Sequence, residues 1–86
     1  MSEVKVGKVT HYFDRLGVAV FEITDGELKV GDTVHVVGHT TNFTQPIDSM
    51  QVEHQAVPSA SVGQSVGIKV KSHARQHDEV FKVVAD

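Results

Sequence analysis

The sequence predicts an all-β fold, a small six-stranded antiparallel closed β-barrel, and three observations carry that prediction. Apolar residues alternate with polar ones in several short runs, which is the period of a half-buried strand. Glycine, proline, aspartate and serine separate these runs at the spacing of tight turns. No long stretch repeats its apolar residues with the period of a helix. Closing such a sheet also removes the edges that invite aggregation.

The first two strands are predicted from residues 4–9 and 18–23. The alternation of the first run changes phase after Gly7, which predicts a β-bulge at that glycine. The second run is apolar on both faces, because Val18 and Val20 alternate with other apolar residues. We therefore expect this strand either to be covered on both faces or to present an apolar strip to a protein partner.

The middle of the chain predicts two tight connections and one strand. Residues 24–26 read Thr-Asp-Gly, a turn in which glycine supplies positive φ without steric cost. Residues 29–32 form a second tight connection, which leads into a strand over residues 33–37. Residues 40–45 are polar apart from one phenylalanine and are predicted to be a loop. Pro46 has no N–H for a ladder, so we expect it at the start or edge of the next strand.

The second half of the chain contains three more predicted strands. Residues 50–54 alternate, and residues 66–70, which alternate Val, Ile and Val with Gly and Lys, give the clearest strand pattern in the chain. Residues 58–63 are predicted to be a connector and residues 72–78 a polar loop. A closing strand is predicted over residues 80–84.

Composition limits the class of protein. A chain of 86 residues predicts one domain, spanning residues 1–86. The absence of cysteine excludes a disulfide and a thiolate metal site. No apolar run approaches the roughly 20 residues that a membrane helix needs, and the N-terminus lacks the pattern of a signal peptide. We therefore expect a cytoplasmic protein without membrane association.

The net charge of the chain argues against nucleic-acid binding, whereas the local distribution of charge favours it. The net charge is −3, so the whole chain shows no basic footprint. Lys69, Lys71, His73 and Arg75 nevertheless form a local basic cluster, with Lys69 and Lys71 on one outward face of their strand. With Tyr12 as a stacking platform, this cluster predicts contact with an RNA backbone. The alternative is that alternate outward positions of a strand are charged for solubility.

Three segments carry a resemblance to a known family. Residues 26–32, Gly-Glu-Leu-Lys-Val-Gly-Asp, resemble a loop in the second domain of translational GTPases such as elongation factor Tu. Residues 49–67, which include Val-Gly-Gln-Ser-Val-Gly at residues 62–67, resemble a later segment of that domain, and residues 80–84 match its closing strand. The resemblance implies a β-barrel of the translation-factor domain 2 type. The chain is also similar to the C-terminal barrel of collagenase-like peptidases, which carries no catalytic residues of its own.

The resemblance also implies where RNA would bind. In elongation factors this barrel helps to hold the aminoacylated end of tRNA, through a glutamate and, three positions later, an arginine. These positions fall on Gln51 and His54, which keep hydrogen-bonding heads but lose the carboxylate and the guanidinium fork. His77 stands where relatives often have glycine. If that turn needs positive φ, histidine occupies it at a cost.

No cofactor, metal or catalytic site is predicted. The chain lacks the glycine-rich phosphate loop ending in Gly-Lys-Ser/Thr, so we expect no nucleoside triphosphate. His35 and His39 would lie about 13 Å apart along a strand, too far to share a metal ion. His73 and His77 fall in a predicted loop, and no serine is visibly set beside a base. We expect no enzymatic activity.

Two functions remain open. The first is a non-catalytic binding module of the translation machinery, contacting tRNA, ribosomal RNA or a translation factor through Gln51, His54 and the basic cluster. The second is a protein–protein interaction module that acts in trans with a partner enzyme and uses Val18 and Val20. The dependence of binding on salt would separate them, because RNA binding weakens steeply with salt and apolar association does not.

Overall fold

The computed structural model describes residues 2–85, and these residues fold into ten β-strands without a helix. No helix in this range is therefore long and apolar enough to span a bilayer. In chain order the strands are β1 Ser2–Phe13, β2 Val18–Ile23, β3 Glu27–Lys29, β4 Thr33–Val37, β5 Asn42–Pro46, β6 Met50–Val52, β7 Gln55–Ala56, β8 Ser59–Ser61, β9 Ser65–Lys69 and β10 Glu79–Val84.

All strand pairs are antiparallel and belong to two sheets. The larger sheet has eight strands in the order β5-β4-β10-β1-β2-β9-β6-β7, and β3 pairs with β8 in a second, two-stranded sheet. The prediction of an all-β antiparallel fold is confirmed. The finer prediction of a closed six-stranded barrel is wrong for the described residues, because the sheet order begins at β5 and ends at β7 without closing. Three of the additional strands, β3, β7 and β8, have two or three residues, too few to show an alternating pattern.

The predicted bulge in β1 is confirmed. The register between β1 and β10 shifts between Lys5 and Gly7. A side chain at Gly7 would collide with the backbone carbonyl of Glu22 on β2, so only glycine fits at this close approach. A second shift, between Val9 and His11, changes the register between β1 and β2. The bulge changes the direction in which the side chains after Val9 point, relative to those before it.

One apolar core fills the space between the sheets. Its central members, including Phe21, Ile23 and Leu28, are at most 1% exposed. The inward side of β2 is Ala19, Phe21 and Ile23, as the alternation predicts. Leu28 of β3 and Ala60 of β8 face each other and extend the core, which explains why short strands form where a loop and a connector were predicted.

Residues 40–45 are not the predicted loop. Strand β5 alternates in burial, with Phe43 and Gln45 inward, and it pairs residue by residue with β4. The sequence does not reveal this strand because one of its inward residues is the polar Gln45. Pro46 ends β5, which lies at an edge of the sheet, where its missing N–H costs no ladder hydrogen bond.

The Gln45 side chain satisfies its buried amide through backbone groups. Its Nε2 donates to the carbonyl of Lys69 at 2.9 Å, and its Oε1 accepts from the N–H of Lys71 at 2.7 Å. These two bonds tie edge strand β5 to the end of β9. Gln45 therefore connects, through its side chain, two parts of the sheet that backbone pairing leaves apart.

Candidate functional site

The first candidate surface is an apolar groove of about 320 Å³ on the outer face of β2, β9 and β6. One wall comes from the end of β1, the β1–β2 turn and β2, and the other from β6, the β6–β7 turn and β9. We call it the apolar groove; it is lined by Phe13, Leu16, Val18, Val20, Gln51, Glu53, His54, Ser65 and Gly67.

Strand alternation explains why Val18 and Val20 reach this groove. Their neighbours Ala19 and Phe21 point into the core, so the two valines are presented on the opposite face, where each is half-buried. In the ladders, Val20 lies opposite Gly67, and Gly67 lies opposite Gln51. The floor between Val20 and Gln51 is thus a glycine, which leaves the groove open.

The apolar wall continues onto the β1–β2 turn. Phe13 is 44% exposed and Leu16 is 65% exposed, the highest value among the large apolar side chains described. Together with Val18 and Val20 they line the groove. Apolar side chains gathered in one concave surface are typical of binding sites.

The opposite lip of the groove is a strained turn. Val52 and Gln55 pair across a two-residue loop formed by Glu53 and His54. Both loop residues have positive φ, 50° and 66°, as a type I′ hairpin requires. Such turns favour Asn-Gly, and residues with a Cβ adopt this conformation at a cost. The side chains of both loop residues line the groove.

Gln51 and His54, predicted for RNA, and Val18 and Val20, predicted for a protein partner, therefore lie in one groove. The sequence assigns them to separate hypotheses because they are about 30 residues apart. The pairing of β2 with β9 and of β9 with β6 brings them together.

The second candidate surface is a cleft of about 310 Å³ around Tyr12. The rings of Tyr12 and His73 have centroids 4.4 Å apart and are tilted by 45°. His73 Nδ1 also lies 3.7 Å from Asp14 Oδ1, an exposed pair. We call this the tyrosine cleft; it is lined by His11, Tyr12, Asp14, His73, Ala74, Arg75 and Gln76.

The loop that carries His73 and Arg75 is held in its middle and at its C-terminal end. Ala74, between them, is 0% exposed and anchors the loop in the core. The buried carboxylate of Asp78 accepts the N–H of Arg75 at 2.8 Å. His77 has φ of 78°, so the positive-φ turn considered from the sequence is present and a histidine occupies it. The His77 N–H donates to the carbonyl of Val9 in β1 at 2.8 Å.

Lys69 and Lys71, which the sequence groups with His73 and Arg75, line a different pocket. That pocket has a volume of about 330 Å³ and includes Gln45 and Asp48. The predicted basic cluster is thus divided between two concave surfaces, with Lys69 and Lys71 in this pocket and His73 and Arg75 in the tyrosine cleft.

The lysines and arginines fall into two groups. Four of the eight are paired with a carboxylate: Lys5 with Glu79, Lys8 with Glu22, Lys29 with Glu27, and Lys82 with Asp32. Within residues 2–85 the other four have no carboxylate partner: Arg15, Lys69, Lys71 and Arg75. All four belong to the β1–β2 turn or to the end of β9 and the loop after it.

The histidines give no metal centre in the described part of the chain, where no three His, Asp or Glu side chains are grouped to hold an ion. His35 has a structural role instead. Its Nδ1 contacts the Glu3 carboxylate at 2.9 Å and its Nε2 lies 2.6 Å from Asn42 Oδ1. The hydrogen bond to Asn42 and then that to Glu3 raise the pKa of His35 above 6.5. Both acceptors favour the doubly protonated ring.

The all-β fold and the family match define a domain of the type found second in translational GTPases. The family described as elongation factor Tu domain 2 matches residues 17–77, about seven-tenths of the chain. The chain belongs to this family.

Three similar proteins are informative. A collagenase of Porphyromonas gingivalis is 41% identical over 81 residues, which are 93% of this chain and 20% of the collagenase. An uncharacterized protease of Methanocaldococcus jannaschii is 32% identical over 92% of this chain and 19% of its own length. The C-terminal domain of a Geobacillus thermoleovorans protein assigned to the U32 peptidases has a crystal structure with a TM-score of 0.86 and 26% identity, covering 93% of this chain and 92% of that one.

The chain spans about a fifth of the length of the curated relatives that it matches. The similarity to the C-terminal domain of a U32 peptidase extends over nearly all of that domain. Both resemblances predicted from the sequence, to elongation factor Tu domain 2 and to the peptidase barrel, are confirmed.

Proposed function

We propose that this chain is a binding module that docks, through the apolar groove, onto the catalytic polypeptide of a U32-type peptidase in trans. In this proposal it works as one domain over residues 1–86, in the cytoplasm, and by binding rather than by catalysis. The observation that carries the proposal is that the apolar side chains of Phe13, Leu16, Val18 and Val20 line one groove. The choice of partner is supported by relatives that are proteases and of which this chain matches about a fifth.

The chemistry of the groove favours a protein over an RNA as its occupant. Its longer wall is aliphatic and aromatic, and the only acid or base among its lining side chains besides His54 is the acidic Glu53. A phosphate backbone needs cations, and the basic side chains lie elsewhere. The tRNA or ribosome contact expected at Gln51 and His54 is the competing outcome of the test.

The test is affinity capture of the tagged chain from lysate of its own organism, with and without RNase. The variant is the double substitution Val18→Thr and Val20→Thr. Threonine keeps the shape and β-branching of valine, so the strand is preserved. Each new hydroxyl costs about 1–3 kcal/mol if a partner buries it without a hydrogen bond. The matched control is Val30→Thr, which changes an exposed valine in the β3–β4 connection, outside the groove.

We expect the wild type and Val30→Thr to recover a U32-type peptidase polypeptide whether or not RNase is present. The double variant should recover at least tenfold less of it. Recovery of tRNA or ribosomes that RNase abolishes, with no peptidase polypeptide recovered, would contradict the proposal. Equal recovery of the peptidase by the double variant would contradict the role of the groove.

A further inference from the structure

The tyrosine cleft combines three features that suit a nucleotide. It offers an aromatic pair, since the Tyr12 and His73 rings lie 4.4 Å apart and the His73 side chain is 53% exposed. It offers a guanidinium that can pair with a phosphate, because Arg75 lines the cleft and has no carboxylate partner within residues 2–85. It is also pre-formed, because Ala74 and Asp78 fix the loop that carries both side chains.

We propose that the tyrosine cleft is a second binding site, which takes one nucleotide of a single-stranded nucleic acid. The nucleobase stacks on the Tyr12–His73 pair and the adjoining phosphate pairs with Arg75. Aromatic platforms beside cations are the usual means of binding single strands without reading their sequence. This proposal goes beyond the docking function and does not depend on it.

The ring geometry decides how the base stacks. With centroids 4.4 Å apart, the two rings are already in contact and admit no third ring between them. The base therefore stacks on the solvent-facing side of the pair. The cleft volume of about 310 Å³ lies at the lower end of small-ligand sites, which suits one nucleotide rather than a larger ligand.

The distribution of charge supports a strand that continues past the cleft. The four cations that have no carboxylate partner within residues 2–85 belong to the β1–β2 turn, to the end of β9 or to the loop after β9, and this turn and loop also supply much of the cleft lining. The other four are neutralised by acids. Asp14 in the cleft opposes a phosphate, but it is 81% exposed and lies 3.7 Å from His73. We therefore place the phosphate on the Arg75 side of the ring pair.

The experiment uses a probe that the sequence provides. Tyr12 is the only tyrosine and the chain has no tryptophan, so intrinsic tyrosine emission reports on this cleft alone. A six-nucleotide oligoadenylate, as RNA and as DNA, is titrated into the chain, with correction for its absorption. Stacking should quench the emission. If three phosphates are contacted, raising salt from 50 to 200 mM should weaken binding roughly 18-fold by the single-strand slope.

Three variants locate the site. His73→Ala keeps the fluorophore and removes half of the platform, so binding should weaken by about fivefold to 150-fold, the range for one stacked base. The slope of the logarithm of the binding constant against the logarithm of the salt concentration should become less steep by about 0.7 in Arg75→Ala, because one phosphate contact is lost. The control is Lys5→Ala, which removes a cation paired with Glu79 on β10. It should leave both the affinity and the salt dependence of binding unchanged.

Several results would overturn the proposal. One is the absence of quenching by either oligonucleotide at 50 mM salt. Another is equal quenching by an abasic ribose-phosphate oligomer, which would make the site one for phosphate alone. Unchanged binding by both His73→Ala and Arg75→Ala would place the ligand elsewhere. The Val18→Thr and Val20→Thr variant should quench like the wild type, so failure of the docking proposal and failure of this one are distinguishable.

Discussion

Gly67 lies directly opposite Val20 in the ladder between β2 and β9. Because glycine has no side chain, the floor of the apolar groove at this point is backbone and the groove stays open. A Cβ built at Gly67 would meet its nearest atom, Cγ1 of Val18, at 3.5 Å, which is ordinary van der Waals contact. The glycine is therefore not required for packing. Its φ is not among the positive values, so the backbone does not require it either.

Gly67→Val should fill the groove without harming the fold. Valine suits a strand better than glycine does, so the free energy of unfolding should stay equal or rise by up to about 1 kcal/mol. Partner recovery should fall at least tenfold, because the new side chain occupies the space between Val20 and Gln51. Chemical denaturation and affinity capture measure the two effects. A variant that is stable and still captures the partner would show that the groove is not the docking site.

The strained lip of the groove gives a second prediction. Replacing Glu53 and His54 by Asn and Gly supplies the residues that a type I′ turn prefers. The positive φ values of 50° and 66° would then cost less, and we expect stabilisation of about 1–2 kcal/mol. If the two side chains contribute to docking, partner recovery should fall although stability rises. Urea denaturation of the variant checks the first part, and an unchanged midpoint would contradict it.

A third prediction concerns Gly38 and Asp78. A side chain at Gly38 would collide with the Asp78 carboxylate, which is buried and holds the Arg75 N–H. Gly38→Ala should therefore destabilise the protein by about 1–3 kcal/mol, because overpacking displaces that carboxylate. It should also weaken quenching by the oligonucleotide through the displaced Arg75 loop. Gly26→Ala is the control for space, since a Cβ there meets nothing within 4 Å; its φ of 64° makes backbone strain its only cost.

The outcome for Gly38→Ala is measured by thermal unfolding and tyrosine emission together. A loss of stability larger than that of Gly26→Ala, with weaker quenching, is expected. If Gly38→Ala bound the oligonucleotide like the wild type, Asp78 would not position the tyrosine cleft.

His35 makes stability depend on pH. Its hydrogen bonds to Asn42 and Glu3 raise its pKa, so the folded state holds the proton more tightly than the unfolded chain does. The resulting stabilisation is fully present below the unfolded value of 6.5 and is lost as pH rises through the higher folded value. His35→Gln should remove this part of the pH profile of unfolding. His39→Gln, which changes an exposed histidine, should retain it.

An NMR titration of the ring protons tests the cause of that shift directly. Asn42→Ala should move the pKa of His35 downward, since it removes the largest of the raising contributions. An unchanged pKa in Asn42→Ala would contradict the assignment.

The sequence predicts the parts of the fold where alternation is strong. Strand β2, with Phe21 and Ile23 inward, and strand β9, with Val66 and Ile68 inward, lie where their patterns place them. Strand β5 is missed because its inward residue Gln45 is polar, and its burial depends on backbone partners at Lys69 and Lys71 that are distant in sequence. Local pattern carries no information about such partners.

The candidate sites are likewise predictable residue by residue, but not as groups of residues brought together by the fold. The sequence identifies Val18, Val20, Gln51 and His54 individually, but only strand pairing shows that they share a groove. Leu16 and Gly67 are missed, because a turn leucine and a strand glycine have no distinctive pattern of their own. Tyr12 and His73 are both predicted as RNA contacts, and the structure places them in one cleft, yet their ring contact joins residues about 60 positions apart that no local pattern relates.

The most direct test of the central claim is calorimetric titration of the captured peptidase polypeptide into the chain at several temperatures and two salt concentrations. Docking through the apolar groove predicts a negative heat-capacity change, which is reduced in the Val18→Thr and Val20→Thr variant, and an affinity that changes little between 50 and 200 mM salt. A heat-capacity change near zero with an affinity that falls steeply with salt would contradict the account, because it would mean that charged residues outside the groove carry the association.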